Sequence, residues 1–280
     1  MQIAATVDVA RSALRDRPSV ALVPTMGALH EGHLSLLRSA RQLAEYVVVS
    51  IFVNPTQFGP GEDFARYPRP VDDDLRMCRE AGADMVFQPT AEAIYPPQEL
   101  DVTIDVPSLT TILEGEHRPG HFIGVCRVVA KLLHIIRPTV ACFGMKDYQQ
   151  LRVVEAMCEG LSMDVRIERY PTVREPDGLA MSSRNIYLDA DQRRHALGLS
   201  KALREAQELV EQGESSPARV ESAMRQVMAA HHVEVDYAVV RNARALGPLD
   251  IVNPAVEPAV CLVAGRLGSV RLIDNIVLAA

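Results

Sequence analysis

The run from Val47 to Val53, V-V-V-S-I-F-V, limits the folds open to this chain more than any other stretch. A half-exposed antiparallel strand alternates apolar and polar residues. This one is apolar on both faces, the pattern of a central parallel strand covered by helices on each side. Upstream, Val20 to Val23 is a short β-prone run ending at Pro24, and a turn-rich stretch leads into Leu34 to Leu43, where apolar residues recur at helical spacing. Strand, loop, helix and strand make a βαβ unit. The alternation continues through a helix around Asp72 to Ala81, a strand at Met85 to Phe87, a helix around Val125 to Ile136, a strand at Val140 to Phe143, a helix from Tyr148 and a strand near Val165 to Tyr170. The fold class is therefore α/β, with a Rossmann-like open parallel sheet. Ligands of such sheets bind beyond the carboxyl ends of the strands, here the loops after Val23, Val53 and Phe143.

After about Arg174 the pattern changes to two long helices, Ala190 to Glu211 and Pro217 to His231, followed by strand-like runs at Val235 to Val240, Val260 to Ala264 and Val270 to Ile273. This predicts a first domain over 1–174 and a smaller α+β C-terminal domain over 175–280, with the turn E-P-D-G at Glu175 to Gly178 as a hinge.

A chain of 280 residues with 48% apolar side chains can bury a substantial core. Its formal net charge of -7 gives no footprint for nucleic acid or an anionic membrane surface, which favours small-molecule partners. No apolar run approaches the roughly 20 residues of a membrane-spanning helix, and the N-terminus has no signal-peptide pattern. The 5 cysteines, Cys78, Cys126, Cys142, Cys158 and Cys261, form no C-x-x-C and sit beside apolar residues, as buried reduced thiols of a cytoplasmic protein do.

Four loops carry the chemistry. P-T-M-G-A-L-H-E-G-H-L, Pro24 to Leu34, lies where a strand turns into a helix. His30 and His33 project on one side of the first turn, Gly27 and Gly32 allow close backbone approach, and free N–H groups with the helix dipole favour phosphate. The same histidines also fit a capping residue and a surface residue of an ordinary helix. F-V-N-P-T-Q-F sets Asn54 and Gln57 beside Pro55, two amides that can grip hydroxyl and carboxylate groups without adding charge. F-G-M-K-D-Y-Q-Q places Lys146 to neutralise a phosphate, Asp147 to cap or touch a nucleotide, and Gln150 to reach inward one turn later. M-S-S-R-N, Met181 to Asn185, offers two hydroxyls and the Arg184 guanidinium to triphosphate oxygens, or caps a turn through Ser182 and Ser183. The run Asp72-Asp73-Asp74 reads as the charged first turn of a helix rather than as metal ligands.

H-x-G-H after a β-strand is similar to the signature of the adenylyl-transferring α/β superfamily, which uses those histidines on ATP phosphates. The four segments in this order, with Y-P-R at Tyr67 to Arg69, I-Y-P at Ile94 to Pro96, R-P-G-H-F at Arg118 to Phe122 and R-L-I-D-N at Arg271 to Asn275, resemble the pantothenate synthetase (pantoate–β-alanine ligase) family over essentially the whole chain. The resemblance implies an ATP site made of Met26, Gly27, Ala28, Leu29, His30, Glu31, Gly32, His33, Gly144, Met145, Lys146, Asp147, Val173, Met181, Ser182, Ser183 and Arg184. His33 is the family's proposed proton donor, and His30, Lys146 and Arg184 join it as catalytic residues. Gln57 and Gln150 hold pantoate, Asn54 is placed with them, and Gln57 stays near β-alanine. Met145 departs from the glutamate common in G-E-K-D. The first domain then binds ATP and pantoate, and the second acts as a lid.

The activity implied is ATP-dependent condensation of (R)-pantoate with β-alanine to pantothenate through pantoyl-adenylate, with release of pyrophosphate and AMP, by a cytoplasmic homodimer. Mg²⁺ arrives on ATP, and no protein metal ligand is assigned. The alternative within the superfamily is a nucleotidyltransferase acting on a phosphate acceptor, and a non-catalytic ATP-binding module is the alternative from another class.

Overall fold

In a computed structural model that describes residues 1–278, the alternating pattern becomes a six-stranded, all-parallel sheet flanked by helices. The last two residues of the expected second domain, 279 and 280, lie outside the described residues. The strands are β1 (Gln2–Ala4), β2 (Val20–Thr25), β3 (Tyr46–Ile51), β4 (Met85–Phe87), β5 (Val140–Gly144) and β6 (Arg166–Tyr170), in the spatial order β1-β4-β3-β2-β5-β6. β2 and β3 pair from Val20 beside Tyr46 to Thr25 beside Ile51. β3 is buried on both faces, as its apolar run requires. Its one polar member, Ser50, is satisfied: Thr25 N donates to Ser50 Oγ (3.3 Å) and Thr25 Oγ1 donates to Ser50 O (2.7 Å).

Around this sheet lie α1 (Val7–Leu14), α2 (Glu31–Leu43), α3 (Val71–Glu80), the one-turn helices α4 (Ala91–Ile94), α5 (Pro107–Thr110) and α6 (Glu114–His117), then α7 (His121–Ile136) and α8 (Tyr148–Gly160). Strand order reverses at β2: β3 and β4 extend the sheet one way and β5 and β6 the other. Such a reversal leaves a crevice at the carboxyl ends that no crossover covers. β1 and α1 are absent from the sequence reading; β1 is three residues long with only Ala4 buried, too short to display a period.

Compactness divides the chain into two units, Met1–Met145 with Gln149–Pro171, and Lys146–Tyr148 with the chain from Thr172 onward. The second unit packs α9 (Ala190–Glu211) and α10 (Pro217–Ala230) with the antiparallel sheet β7-β8-β9, whose strands are Glu234–Asn242, Ala259–Leu267 and Val270–Leu278. Leu199, Leu203, Met224, Met228, Val240 and Val263 belong to its core. The strands outrun their apolar patterns because polar residues such as Asp274 and Asn275 lie buried within β9. Glu175 to Gly178, expected as a hinge, is instead the tip of a hairpin inside this unit. Arg174 bridges Ala180, Glu175 N donates to Leu179 O, and Arg193 on α9 pairs with both Glu175 (2.8 Å) and Asp177 (2.6 Å).

All five cysteines are buried and in no disulfide. Burial pushes the Cys78, Cys126 and Cys261 thiols up to about 12, far from a reactive thiolate. Among the described residues, no helix is long and apolar enough to cross a membrane.

The closest packing near the crevice is that of α7 on the 3-10 turn Pro55–Gln57. A Cβ on Gly124 would stand 2.2 Å from Thr56 O and 2.6 Å from Gln57 N. Gly124→Ala should therefore cost about 1–3 kcal/mol through backbone displacement, read as a lower midpoint in thermal unfolding. An unchanged midpoint would show that α7 and the turn separate freely.

Candidate functional site

The loop after β2 begins with two left-handed residues, Gly27 (φ 82°) and Ala28 (φ 50°). A non-glycine residue there costs roughly 1–2 kcal/mol. The compensation comes from Asp74, which α3 turns inward: its Oδ2 accepts from Ala28 N (2.9 Å) and its Oδ1 from Leu29 N (2.7 Å). Hydrogen bonds to a charged acceptor contribute about 1.5–3 kcal/mol each, enough to hold the turn. Burial pushes the Asp74 carboxyl above the usual aspartate range, and the Leu29 and Ala28 amides pull it back. Gly27 has no room for a side chain, since a Cβ would lie 2.8 Å from Asp74 Oδ2.

Asp72, Asp73 and Asp74 form the charged first turn of α3, as anticipated, and Asp74 is in addition buried. Three amides of the loop are not free for phosphate, against expectation: Gly27 N donates to Thr25 Oγ1 (3.1 Å), and those of Ala28 and Leu29 are held by Asp74.

His30 is the N-cap of α2, with Nδ1 accepting from Gly32 N (3.2 Å), while His33 Nδ1 accepts from His30 N (3.3 Å). The capping alternative is thus correct, and it has a chemical consequence. A ring that accepts at Nδ1 carries its hydrogen on Nε2, so both imidazoles present an Nε2–H donor. Their centroids are 4.1 Å apart, so the two donors belong to one small region at the positive end of α2.

In the next loop the two amides part company. Asn54 is buried, and its side chain is engaged within the protein at both ends. Nδ2 donates to Gln57 Oε1 (3.0 Å) and Gly124 O (3.1 Å), while Oδ1 accepts from Thr56 Oγ1 and Tyr95 OH, both at 2.9 Å. Asn54, expected to touch substrate, is saturated and acts on Gln57. Because Gln57 Oε1 is taken by Asn54, its Nε2 is the end left toward Met26 Sδ (3.2 Å), a weak acceptor.

The main chain of Gln57 is held as well. Its carbonyl accepts from His121 Nδ1 (2.8 Å), whose Nε2 faces Arg118 Nη1 (3.2 Å), and Arg118 forks onto Glu62 at 2.8 and 2.7 Å. Burial, then the Arg118 charge, pulls His121 down to about 4, so the ring is neutral, with Nδ1–H as donor and Nε2 as acceptor. Tyr95, Arg118 and His121 lie in I-Y-P and R-P-G-H-F, segments that the sequence marked without assigning a role.

Gly144 and Met145 end β5 and open the 3-10 turn Met145–Asp147. Lys146 Nζ lies 3.5 Å from Asp147 Oδ1. The two glutamines that follow also diverge: Gln149 Nε2 donates to Leu109 O (2.7 Å) and Ile112 O (2.8 Å), a scaffold role, whereas Gln150 is half-buried beside it. In the second unit the hairpin joins Val173 to Met181, whose N donates to Val173 O (3.0 Å). Ser182 caps the 3-10 turn Ser183–Tyr187 by accepting from Arg184 N (3.2 Å). Met181, Ser183 and Arg184 are partly exposed around it.

The model of the Pantoate-beta-alanine ligase family matches residues 2–277. A pantothenate synthetase of Fervidobacterium nodosum is 44% identical over 270 residues, covering 96% of this chain and 95% of the relative. The crystal structure of pantothenate synthetase from Thermus thermophilus superposes with a TM-score of 0.93 at 44% identity, covering 99% of both chains. A pantoate-beta-alanine ligase from Francisella tularensis, solved with beta-gamma ATP and beta-alanine, matches with a TM-score of 0.76 at 31% identity, over 99% of this chain and 97% of that one.

The His121 network makes stability depend on pH. Its native value, about 4, lies below the ordinary histidine value of 6.5, so its contribution is complete above pH 6.5 and is lost as pH falls toward 4. The full span is on the order of 3 kcal/mol. Urea unfolding at a series of pH values should show this decline, and His121→Asn, which keeps a donor to Gln57 O, should flatten it. A decline of equal size in the variant would assign the acid sensitivity to other groups.

Proposed function

The chain belongs to the pantoate–β-alanine ligase family, and from that premise we propose how its own residues carry out the reaction. The enzyme is a ligase that uses ATP to join pantoate to β-alanine, forming pantothenate. The observation that carries the assignment of roles is that His30 and His33 each accept a backbone N–H at Nδ1 at the start of α2, which makes Nε2 the donor of each ring.

In this reading the pantoate carboxylate attacks the α-phosphorus of ATP in line, forming pantoyl-adenylate and releasing pyrophosphate. His30 and His33 donate from Nε2 to phosphate oxygens as charge grows, with His33 the proton donor. Lys146 adds a point charge and Arg184 a forked donor. Met26 to His33, Gly144 to Asp147, Val173 and Met181 to Ser183 complete the ATP-binding set. Asp74 occupies the loop amides, so the imidazoles rather than backbone N–H groups meet the phosphates. Gln57 Nε2 and Gln150 hold pantoate through its hydroxyl and carboxylate, and Asn54 fixes which end of the Gln57 amide is offered. The β-alanine amine then attacks the acyl carbonyl near Gln57 and AMP leaves, a step carried by positioning.

Mg²⁺ enters on the ATP phosphates in this reading; the Asp72–Asp74 run is used otherwise, Asp74 by the loop amides and Asp73 by Arg76 (3.0 Å). We also read the enzyme as a homodimer working in the cytoplasm, where its buried thiols stay reduced; sedimentation of the purified protein tests the dimer.

Pyrophosphate release from ATP should require pantoate, and sustained AMP release should require β-alanine as well. Pyrophosphate release that ignores pantoate but follows a supplied phosphate acceptor, with AMP transferred onto it, would point to a nucleotidyltransferase. Lys146→Ala should slow pantoate-dependent ATP–pyrophosphate exchange by on the order of 10²-fold or more. A near-normal rate would remove Lys146 from the mechanism.

Asp74→Asn keeps shape but turns an NH₂ group onto a backbone N–H. It should lower exchange by roughly 10- to 100-fold, since misplacing groups by about 1 Å costs this much, with the fold intact by circular dichroism. An unchanged rate would mean that the turn holds without the carboxylate.

A further inference from the structure

R-L-I-D-N near the C-terminus is not used by the mechanism above, yet it contains two polar side chains buried inside β9. Asp274 takes the Arg174 guanidinium in a fork, Nη1 to Oδ2 at 2.7 Å and Nη2 to Oδ1 at 3.0 Å, and also accepts from Asn275 N (2.8 Å). Arg174 in turn donates to Gly178 O (3.1 Å). Asn275 is therefore held by its neighbours, and its Nδ2 donates to Lys146 O at 2.7 Å. Two residues along, Tyr148 OH donates to Ala243 O at 2.8 Å. The three residues Lys146–Tyr148 cluster with this second unit although the chain on either side, through Met145 and from Gln149, clusters with the first.

From this geometry we infer that Asn275 is a positioning residue for Lys146, acting on the adenylation half-reaction alone. The inference rests on the role given to Lys146 above. Lys146 reaches its ammonium over a flexible stem, so where that charge falls depends on how its own main chain is held. The buried Asn275, its main chain held by Asp274 and Arg174, provides that hold through its side-chain amide at the Lys146 carbonyl. Tyr148 pins the other end of the same turn. Burial makes the contact consequential, because removing Nδ2 leaves Lys146 O with one donor fewer in a region that water reaches poorly.

The test is a double-mutant cycle on pantoate-dependent ATP–pyrophosphate exchange with Asn275→Ala, Lys146→Ala and the pair. Asn275→Ala should slow exchange by on the order of 10-fold or more, leave amide formation from supplied pantoyl-adenylate near normal, and add nothing when Lys146 is already alanine. Effects that multiply in the pair, or an equal loss in both half-reactions, would overturn the proposal, since a merely structural residue behaves in that way. Lys146→Ala at a normal rate would instead refute the role of Lys146 and take this inference with it. Should Asn275→Ala fail to fold, Tyr148→Phe releases the other end of the turn while keeping its buried ring. It should repeat the pattern of selective, non-multiplying loss, and a normal exchange rate in Tyr148→Phe would overturn the anchored-turn account.

Discussion

One buried carboxylate organises the first unit: Asp74 accepting from Ala28 and Leu29 N–H. The loop after β2 must change direction within a few residues to deliver the N-terminus of α2 to the strand end, and it does so through two left-handed residues, one of them not glycine. Gly27 takes that path readily, but the backbone of Ala28 does not favour it. Two charge-assisted hydrogen bonds from a neighbouring helix hold it, at the expense of taking a carboxylate out of water. The result is a fixed origin for α2, and so for His30 and His33, whose ring orientations follow from their cap hydrogen bonds. A loop of this composition suggests an amide cradle for phosphate. Here a carboxylate of the protein's own fills part of that cradle.

The same principle recurs around Gln57, where a side chain with an ambiguous hydrogen-bonding character is given a single one. Asn54 donates to Gln57 Oε1, and Tyr95 and Thr56 fix the orientation of Asn54 by donating to its Oδ1. His121 holds the main chain of Gln57, and burial, then the Arg118 charge, keeps His121 neutral. A neutral ring suits this place better than a charged one, since Arg118 already brings a cation within 3.2 Å. The end of the Gln57 amide left over is then the donor, turned to Met26 Sδ. In the second unit, a comparable run of hydrogen bonds passes from Arg174 through Asp274 and Asn275 to the Lys146 carbonyl.

The chain's own sequence determined a great deal. A run apolar on both faces can only be a central parallel strand, and its alternation with helical periods yields the open sheet whose carboxyl-end loops carry the four motifs. The ordered motifs identified the family, and α9 begins and ends where its period predicts. Tertiary structure alone decided which members of each motif brace the fold through their side chains. Asn54 and Gln57 look equivalent in N-P-T-Q-F, as do Gln149 and Gln150 in Y-Q-Q, and Asp74 looks like Asp72 and Asp73. What separates them is a partner far along the chain: Gly124 for Asn54, Leu109 and Ile112 for Gln149, Ala28 and Leu29 for Asp74. Hydrophobic periodicity is a local property and can be read from neighbours. The saturation of a hydrogen-bonding group is not, because its donors and acceptors meet only when the fold brings distant segments within about 3 Å of one another.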